Sequence, residues 1–450
     1  MASTKLLRAQ GTPTNNKIFT ISCWFKAAQV ANEMKLIYAD DNSTNNYTYI
    51  HFSDTSGRIR FQNRNGGSNN TELIWENYIR DFSAYYHLVM AVDSTQSTES
   101  DRVKFYLNGV QQTTLDSSAN TFPPLNQSFT LNSSGYDVEI GASNSSSYFN
   151  GLMSYFAFVD GTAYDASYFG ETNAATGIWK IKTSPSVTYG NNGFFLKMDT
   201  TSPGSDTSGN DNTFTASGTP TLAQDNASNN FTTLNPLNAY YTNSTFSNGN
   251  TTFASGSSYS GTTANILLST GKWYWEGKPI SKDGDGDNYV FGIQGQDSTA
   301  TNQFVGSQST GYQIYGPNGN LYNNNSQASY AAAFTAGDII GVALDCTNYK
   351  LYFSKNGVWA TGSGAWGSST FDAAVGAKTI TAPALVTLGG YYPSQTFWTG
   401  NSGTFSMNFG NGHFGTTAVS SAGTNASGNG IFEYDVPTGY TALSTKGLNS

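Results

Sequence analysis

Three aspartates at alternate positions are the first residues whose spacing suggests chemistry. In SKDGDGDN, residues 281–288, Asp283, Asp285 and Asp287 repeat the opening of an EF-hand loop, which gathers oxygen ligands around calcium. Counting along such a loop from Asp283 puts Gln294 where a bidentate Glu should close it, and the glycine phase is wrong. The segment therefore reads as a solvated loop between two strands, with calcium as its only metal candidate and no other cofactor expected. A second acidic pair, Asp137 and Glu139 in YDVEIGAS, lies two residues apart and so shares one strand face. Glycoside hydrolysis needs two carboxylates facing across a groove, about 5 to 10 Å apart. No third acid stands at a suitable spacing, and the pair reads as two polar groups on an exposed sheet face.

The histidines are His51, His87 and His413, and none lies in a Gly-x-Ser-x-Gly or His-Glu-x-x-His context. His87 precedes an apolar run and is expected to pack rather than react, so no catalytic set is identified. Aromatic residues remain, because a sugar stacks its apolar face on Trp or Tyr while amides and hydroxyls hold its edge. Those flanked by loop residues are the ligand-binding candidates. They are Tyr391, Tyr392 and Trp398 in GGYYPSQTFWTGNSG, Trp359 and Trp366 in VWATGSGAWGS, and Tyr312 and Tyr315 in GYQIYG.

The elements that must position these residues are strands. KIFTISCWFKA, from Lys17, alternates with a period of two, placing Phe19, Ile21, Cys23 and Phe25 on one face and Trp24 on the other. One local pattern occurs twice. HLVMAVDST (87–95) leads to VKFYLNGV (103–110), and GDIIGVALDCT (337–347) leads to KLYFSKNGVW (350–359). Each reads as a buried strand, a turn, an alternating strand and an Asn-Gly tight turn, a strong hairpin signal. Copies half a chain apart point to two similar β-domains rather than a short-period solenoid.

Composition agrees. Of 450 residues only 11% are charged and 14% are aromatic, with Gly, Ser, Thr and Asn filling the gaps between short apolar runs. Aromatic and β-branched residues suit a half-buried pleated surface, and Gly and Asn supply turns. A formal net charge of −9 without any Lys/Arg cluster excludes a nucleic-acid partner. The opening MASTKLLRAQGT lacks an apolar leader and no stretch approaches 18 consecutive apolar residues, so neither a Sec signal nor membrane insertion is expected. Cys23 and Cys346 fall one in each half and are expected as buried thiols.

The first half resembles the laminin-G-like, concanavalin A-like jelly rolls, on FTISCWFK, HLVMAVD, VKFYLNGV and FNGLMSYFAFVDGTAYD. The second half resembles SPRY domains, with GKWYWE, VFGI, GDIIGVALD, LYFSKNG and MNFGN in family order. The glucanases of the concanavalin-like fold carry a Glu-x-Asp-x-x-Glu strand, which this sequence lacks. The expected architecture is all-β, two tandem concanavalin A-like jelly-roll sandwiches at 1–200 and 231–415, with a linker at 201–230 and a C-terminal tail at 416–450. With FTTLNPL between the domains and IFEYDVPTGYTALST in the tail, the arrangement is similar to virion proteins of tailed phages, particularly those of marine bacteria.

That resemblance implies a non-enzymatic protein of the virion surface, made in the host cytoplasm. It would be a fibre or tail component that binds a host surface glycan or receptor and contacts other virion proteins, as a homo-oligomer and plausibly a trimer. Two other readings stand beside it: a capsid decoration or appendage-assembly protein whose loops contact virion subunits, and a bacterial surface adhesin.

Overall fold

The period-two runs become strands, and the strands pair into two units. The structure, a computed structural model, describes residues 4–28, 33–41, 43–53, 55–198, 202–240, 244–255, 260–282, 288–295, 305–397 and 403–449. The first unit comprises residues 1–222 with 226–228, and the second 223–225 with 229–450. Among the described residues there is no α-helix, only short 3-10 turns.

In the first unit, eight described strands form one sheet in the order Leu115–Thr121, Ser68–Trp75, Ile59–Asn65, Tyr47–Phe52, Lys35–Asp40, Asp137–Ile140, Lys5–Ala9, Thr215–Ser217. Six form the other, in the order Phe194–Leu196, Gly151–Asp160, Ile18–Ala27, Tyr86–Asp93, Val103–Leu107, Val110–Gln112. Phe19, Ile21, Cys23 and Phe25 all enter the core between the sheets, as their alternation predicts, and meet Ile50, Phe52, Phe61 and Leu73. The opposite face of the same strand is buried too. Trp24 packs with Val89, Tyr155 and Phe195 in a smaller outer core, partly covered by Tyr164, Trp179 and Tyr189 of the segment after Asp160.

The second unit is another pair of sheets. One orders Leu234–Tyr240, Ser260–Ala264, Tyr392–Phe397, Tyr289–Gln294, Gly311–Tyr315, Leu321–Asn323 and Ser326–Ala328. The other runs Thr245–Ser247, Thr252–Ser255, Gly403–Asn408, Lys272–Lys282, Ile340–Asp345, Lys350–Lys355, Val358–Ala360, Trp366–Ser368. Trp273 and Trp275 of KWYWEGK enter the core between the sheets, while Tyr274 points the other way into a second cluster with Phe432, Val436, Tyr440 and Ala442.

Both expected flanking segments are folded. Residues 202–222, read as linker, belong to the first unit. Thr215–Ser217 pairs antiparallel with Lys5–Ala9, Phe214 lies edge-on to Phe194 at 4.7 Å, and the Asp206 carboxylate accepts from the backbone N–H of Phe195, Ser208 and Asn212 at 2.8, 2.9 and 2.8 Å. The 416–449 segment, read as tail, is a layer of the second unit. Thr441–Ala442 pairs in parallel with Lys272–Lys282, and Phe432 meets Tyr274 edge-on at 4.9 Å. Tyr274 supplies the reason, since an outward-facing aromatic on a central strand requires apolar cover.

The repeated pattern has one geometry. Asn108 and Asn356 both have φ 48°, followed by Gly109 at 81° and Gly357 at 78°, the positive-φ pair that a type I′ hairpin turn requires. Each Asn side-chain oxygen accepts from the first strand's backbone N–H, that of His87 or Ile339, at 2.8 Å. Each glycine also lies under an aromatic ring, since a Cβ on Gly109 would meet Trp179 at 2.5 Å and one on Gly357 would meet Tyr434 at 2.6 Å. Gly109→Ala and Gly357→Ala are each expected to cost about 2 kcal/mol from backbone strain and steric overlap. In units of this size that should lower the melting temperature by roughly 4–8 °C by calorimetry. An unchanged melting temperature would rule out the packed-turn assignment.

Candidate binding surface

The aromatic residues singled out by their glycine-rich surroundings sit on or beside strands. Tyr391 is wholly buried, and its hydroxyl donates to the Thr381 carbonyl at 2.8 Å. Its ring stands edge-on to that of Tyr312 at 6.2 Å. Tyr312 is buried as well, its hydroxyl accepting from the Thr381 N–H at 3.1 Å, so the two tyrosines clamp one stretch of chain. Trp359 is buried on Val358–Ala360 with Phe371 edge-on at 4.8 Å. None of these three has a free face on which a sugar could stack.

Tyr315, Tyr392 and Trp366 are half-buried. Tyr315 donates its hydroxyl to Asn288, and Trp366 carries the Lys355 ammonium 5.7 Å from its ring centroid. Trp398 and the calcium candidates Asp283, Asp285 and Asp287 lie outside the described residues.

His87 behaves as a packing residue with a fixed tautomer. It is fully buried, stacked on Trp24 with ring centroids 4.4 Å apart, and its Nε2 lies 2.8 Å from Ser22 Oγ. A Ser–His pair at this distance invites a nucleophile reading. Trp179 Nε1, which can only donate, points at His87 Nδ1 from 2.9 Å. Nδ1 must therefore accept, Nε2 carries the proton and donates to Ser22, and the imidazole has no lone pair to take the serine proton. Burial pushes its pKa down to about 3.

The site that sequence reasoning missed is the outer face of the eight-stranded sheet. Register pairs Tyr38 with Tyr49 and Asp40 with Tyr47, then Tyr47, Tyr49 and His51 with Arg64, Gln62 and Arg60. Cross-strand partners share a face, so one surface collects three tyrosines, an amide, a histidine and two arginines, with Lys35 opposite His51. The tyrosine rings stack at centroid separations of 5.1 Å (Tyr47–Tyr49) and 6.4 Å (Tyr38–Tyr49). Gln62 accepts from the Tyr49 hydroxyl and donates to that of Tyr47 at 3.4 Å. Asn144 donates to Asp40 at 2.8 Å and to the Tyr38 hydroxyl at 3.1 Å.

Glu139 joins this face beside Tyr38. It is buried and accepts from Lys5 at 2.6 Å, so it is one half of an ion pair rather than the exposed polar group expected, while Asp137 is half-buried. Lys35 is buried, with its ammonium 3.1 Å from His51 Nδ1 and 4.5 Å from the Tyr49 ring centroid. Burial lowers the Lys35 pKa to about 8, and burial together with the Lys35 and Arg60 charges lowers that of His51 to about 2. The alternation of YTYIHF and RIRFQNR carried the signal for this face. Tyr38, Tyr49 and Gln62 are buried among their neighbours on this face, so what it presents outward is the half-buried Tyr47 ring with Arg60, Arg64 and the exposed Asn144 amide. An aromatic edge with polar groups beside it suits recognition of a polar ligand.

Comparison with known proteins matches one segment of each half to a family model. Residues 3–166 match the family model of the concanavalin A-like lectin/glucanases superfamily, and residues 272–380 match the SPRY domain. Domains of these families often bind carbohydrates or proteins. Among solved structures, the SPRY domain of human HERC1 is 18% identical, covering 39% of this chain and 96% of that one, with TM-score 0.30. A human SPRY domain is 17% identical over 35% of this chain and 90% of its own, with TM-score 0.26. Domain 4 of AbnA, a GH43 extracellular arabinanase from Geobacillus stearothermophilus in complex with arabinotriose, is 17% identical over 36% of this chain and 70% of that chain, with TM-score 0.28. No curated protein matches this chain.

The two buried imidazoles set an acid limit. His51 and His87 are neutral when folded, with pKa values near 2 and 3, whereas in the unfolded chain they titrate near about 6.5. Below about 6.5 the unfolded state binds protons that the folded state does not, so stability falls as pH falls, by up to about 1.4 kcal/mol per pH unit for each histidine. Glu276 of the second unit, its pKa raised to about 7, takes up a proton when folded over the same range and opposes this trend there. It is therefore urea unfolding of the first unit between pH 7 and 5 that should show the slope, and His87→Gln should remove roughly half of the histidine contribution. A slope identical in the variant would contradict the neutral-imidazole assignment.

Proposed function

We propose that this chain is a non-catalytic binding protein of a tailed-phage virion surface, a fibre or tail component that holds a host glycan or receptor on the outer sheet face of its first sandwich. The observation that carries the reading is the stacked Tyr38–Tyr47–Tyr49 row with Gln62, Asn144 and Arg64 beside it. The half-buried Tyr47 ring supplies an apolar surface, backed by the buried Tyr38 and Tyr49, and the exposed Asn144 amide can orient hydroxyls, the combination that sugar recognition needs.

The absence of a catalyst is part of the same reading. The Ser22–His87 pair holds its proton on the wrong nitrogen for base catalysis, and Glu139 is occupied by Lys5. The placement on a virion rests on the tandem laminin-G-like and SPRY order, with FTTLNPL between them and IFEYDVPTGYTALST after them, which is similar to tailed-phage virion proteins. Other virion proteins and further copies of the chain, plausibly as a trimer, are its partners in this reading.

The test is binding of the purified chain to a glycan array and to host cells. Tyr47→Ala combined with Arg64→Ala should weaken binding about tenfold, or about 1.4 kcal/mol, with the circular dichroism spectrum unchanged. Binding that is indifferent to this pair would move the ligand off this face. Antibody against the chain should label the surface of intact particles, and unlabelled particles would exclude the virion assignment.

A further inference from the structure

Around Lys35, the outer face of the first sandwich brings together donors that lack acceptors. An ammonium can only donate, so at 3.1 Å the Lys35 Nζ makes His51 Nδ1 the acceptor and leaves the proton on Nε2. His51 is wholly buried, and its Nε2 has no hydrogen-bond partner among the described residues. Arg60, its register partner on the next strand, sends Nη2 to Glu72 and leaves Nε buried without a partner. Native structures rarely leave such groups unpaired, and each instance calls for an explanation.

The carboxylates on this face do not supply the missing acceptor. Glu72 is engaged by Arg60 and Asp40 by Tyr38 and Asn144. Glu139 gives Oε1 to Lys5, and its unpartnered Oε2 belongs to a residue paired in register with Tyr38, not with Lys35 or His51. Glu33 lies 3.9 Å from Lys35 with its side chain 57% exposed. Lys35, His51 and Arg60 thus bring two cations and an N–H donor together, next to the tyrosine row.

We propose that Lys35, His51 and Arg60 form a subsite for the anionic group, carboxylate or sulfate, of an acidic glycan lying across the tyrosine face. The proposal rests on the glycan-binding reading of that face and adds the charge class of the ligand. An oxyanion has the several acceptor lone pairs that two N–H groups and an ammonium would share. Arg64, about 14 Å along the same strand from Arg60, repeats the feature with another buried, unpartnered Nε beside Tyr47. Two such points along one strand fit a ligand that carries its charge repeatedly, as an acidic polysaccharide does, better than a single free ion.

With His51, His87 and His413 the only imidazoles, the full chain labelled with nitrogen-15 histidine gives a local readout. It would be titrated with an oligogalacturonate, a sulfated oligosaccharide, a matched neutral oligosaccharide and inorganic sulfate. The acidic oligosaccharides are expected to shift the His51 ring signals while leaving His87 and His413 in place, and to bind at least tenfold tighter than the neutral one. Carboxylate and sulfate ligands differing in strength would say which oxyanion the subsite prefers. Lys35→Met and Arg60→Gln should each remove most of that preference, and the wild-type selectivity decides the matter should either variant fail to fold. Equal affinity for acidic and neutral oligosaccharides with His51 unmoved overturns the subsite and leaves the glycan-binding face standing. Binding of inorganic sulfate alone overturns the glycan as occupant, and binding of none of the four overturns the subsite and the glycan reading together.

Discussion

Each unit is built around a central strand that is buried on both faces. In the first, every residue from Phe19 to Ala27 is buried, and in the second so is every residue from Trp273 to Gly277. Two sheets cover only one face of such a strand. The other face exposes Trp24 in one unit and Tyr274 in the other, and burying a large aromatic surface is worth enough to recruit a third layer. The segment after Asp160 and the segment after Asn411 are those layers. They bring Trp179 and Tyr434 onto the Asn-Gly turns, which gives two hairpins of one design the same kind of lid.

A covering layer with only short strands leaves many backbone N–H groups to be satisfied, and buried carboxylates take several of them. Asp160 accepts from the N–H groups of Thr14, Asn15 and Asn192 at 2.6, 3.0 and 3.0 Å and from the Asn132 amide at 2.7 Å. Glu276, fully buried beside Tyr274, accepts from the N–H groups of Glu433 and Tyr434, both at 2.9 Å, from the Tyr274 hydroxyl at 3.1 Å and from Asn408 at 3.3 Å. Burial pushes the Glu276 pKa up to about 7, and the four donors work against that shift. A carboxylate with several donors anchors a loop more firmly than neutral hydrogen bonds would. In a chain of low charge, these few buried acids hold the layers to the sheets.

Much of the fold was legible in the sequence because alternation and turn chemistry are local. The inward set Phe19, Ile21, Cys23 and Phe25 and both Asn-Gly turns stand as read. The covering layers were not legible as such. The 202–222 stretch looks like linker because its anchor is a polar residue, Asp206, with Phe214 as almost its only large apolar group. The glycine-flanked aromatics misled for a related reason. Glycine next to Tyr391 reads as loop, but Gly390 is a point of close approach, where a Cβ would meet the Leu268 carbonyl at 2.8 Å. The tyrosine face was hidden by ordinariness, since Tyr47, Tyr49 and Gln62 alternate as any solvent-facing set does. Only register, which aligns three successive strands and adds Asp137–Ile140 from farther along the chain, shows that they converge with Lys35 and Arg60.

The parallel pairing of Thr441–Ala442 with Lys272–Lys282 also dictates an order of events during synthesis. Strand Lys272–Lys282 emerges from the ribosome long before residues 430–443, and until they arrive Tyr274 lies bare and Glu276 lacks the Glu433 and Tyr434 amides. Sheets held by pairings this distant in sequence form slowly, because the intervening chain must be closed before any contact rewards it. The second unit therefore passes through a stage in which a hydrophobic strand face is exposed, the kind of surface through which nascent chains associate wrongly. The first unit carries the aromatic residues that cover Trp24 before residue 200, with only Ala227 added later, and can bury that face while the second is still being made.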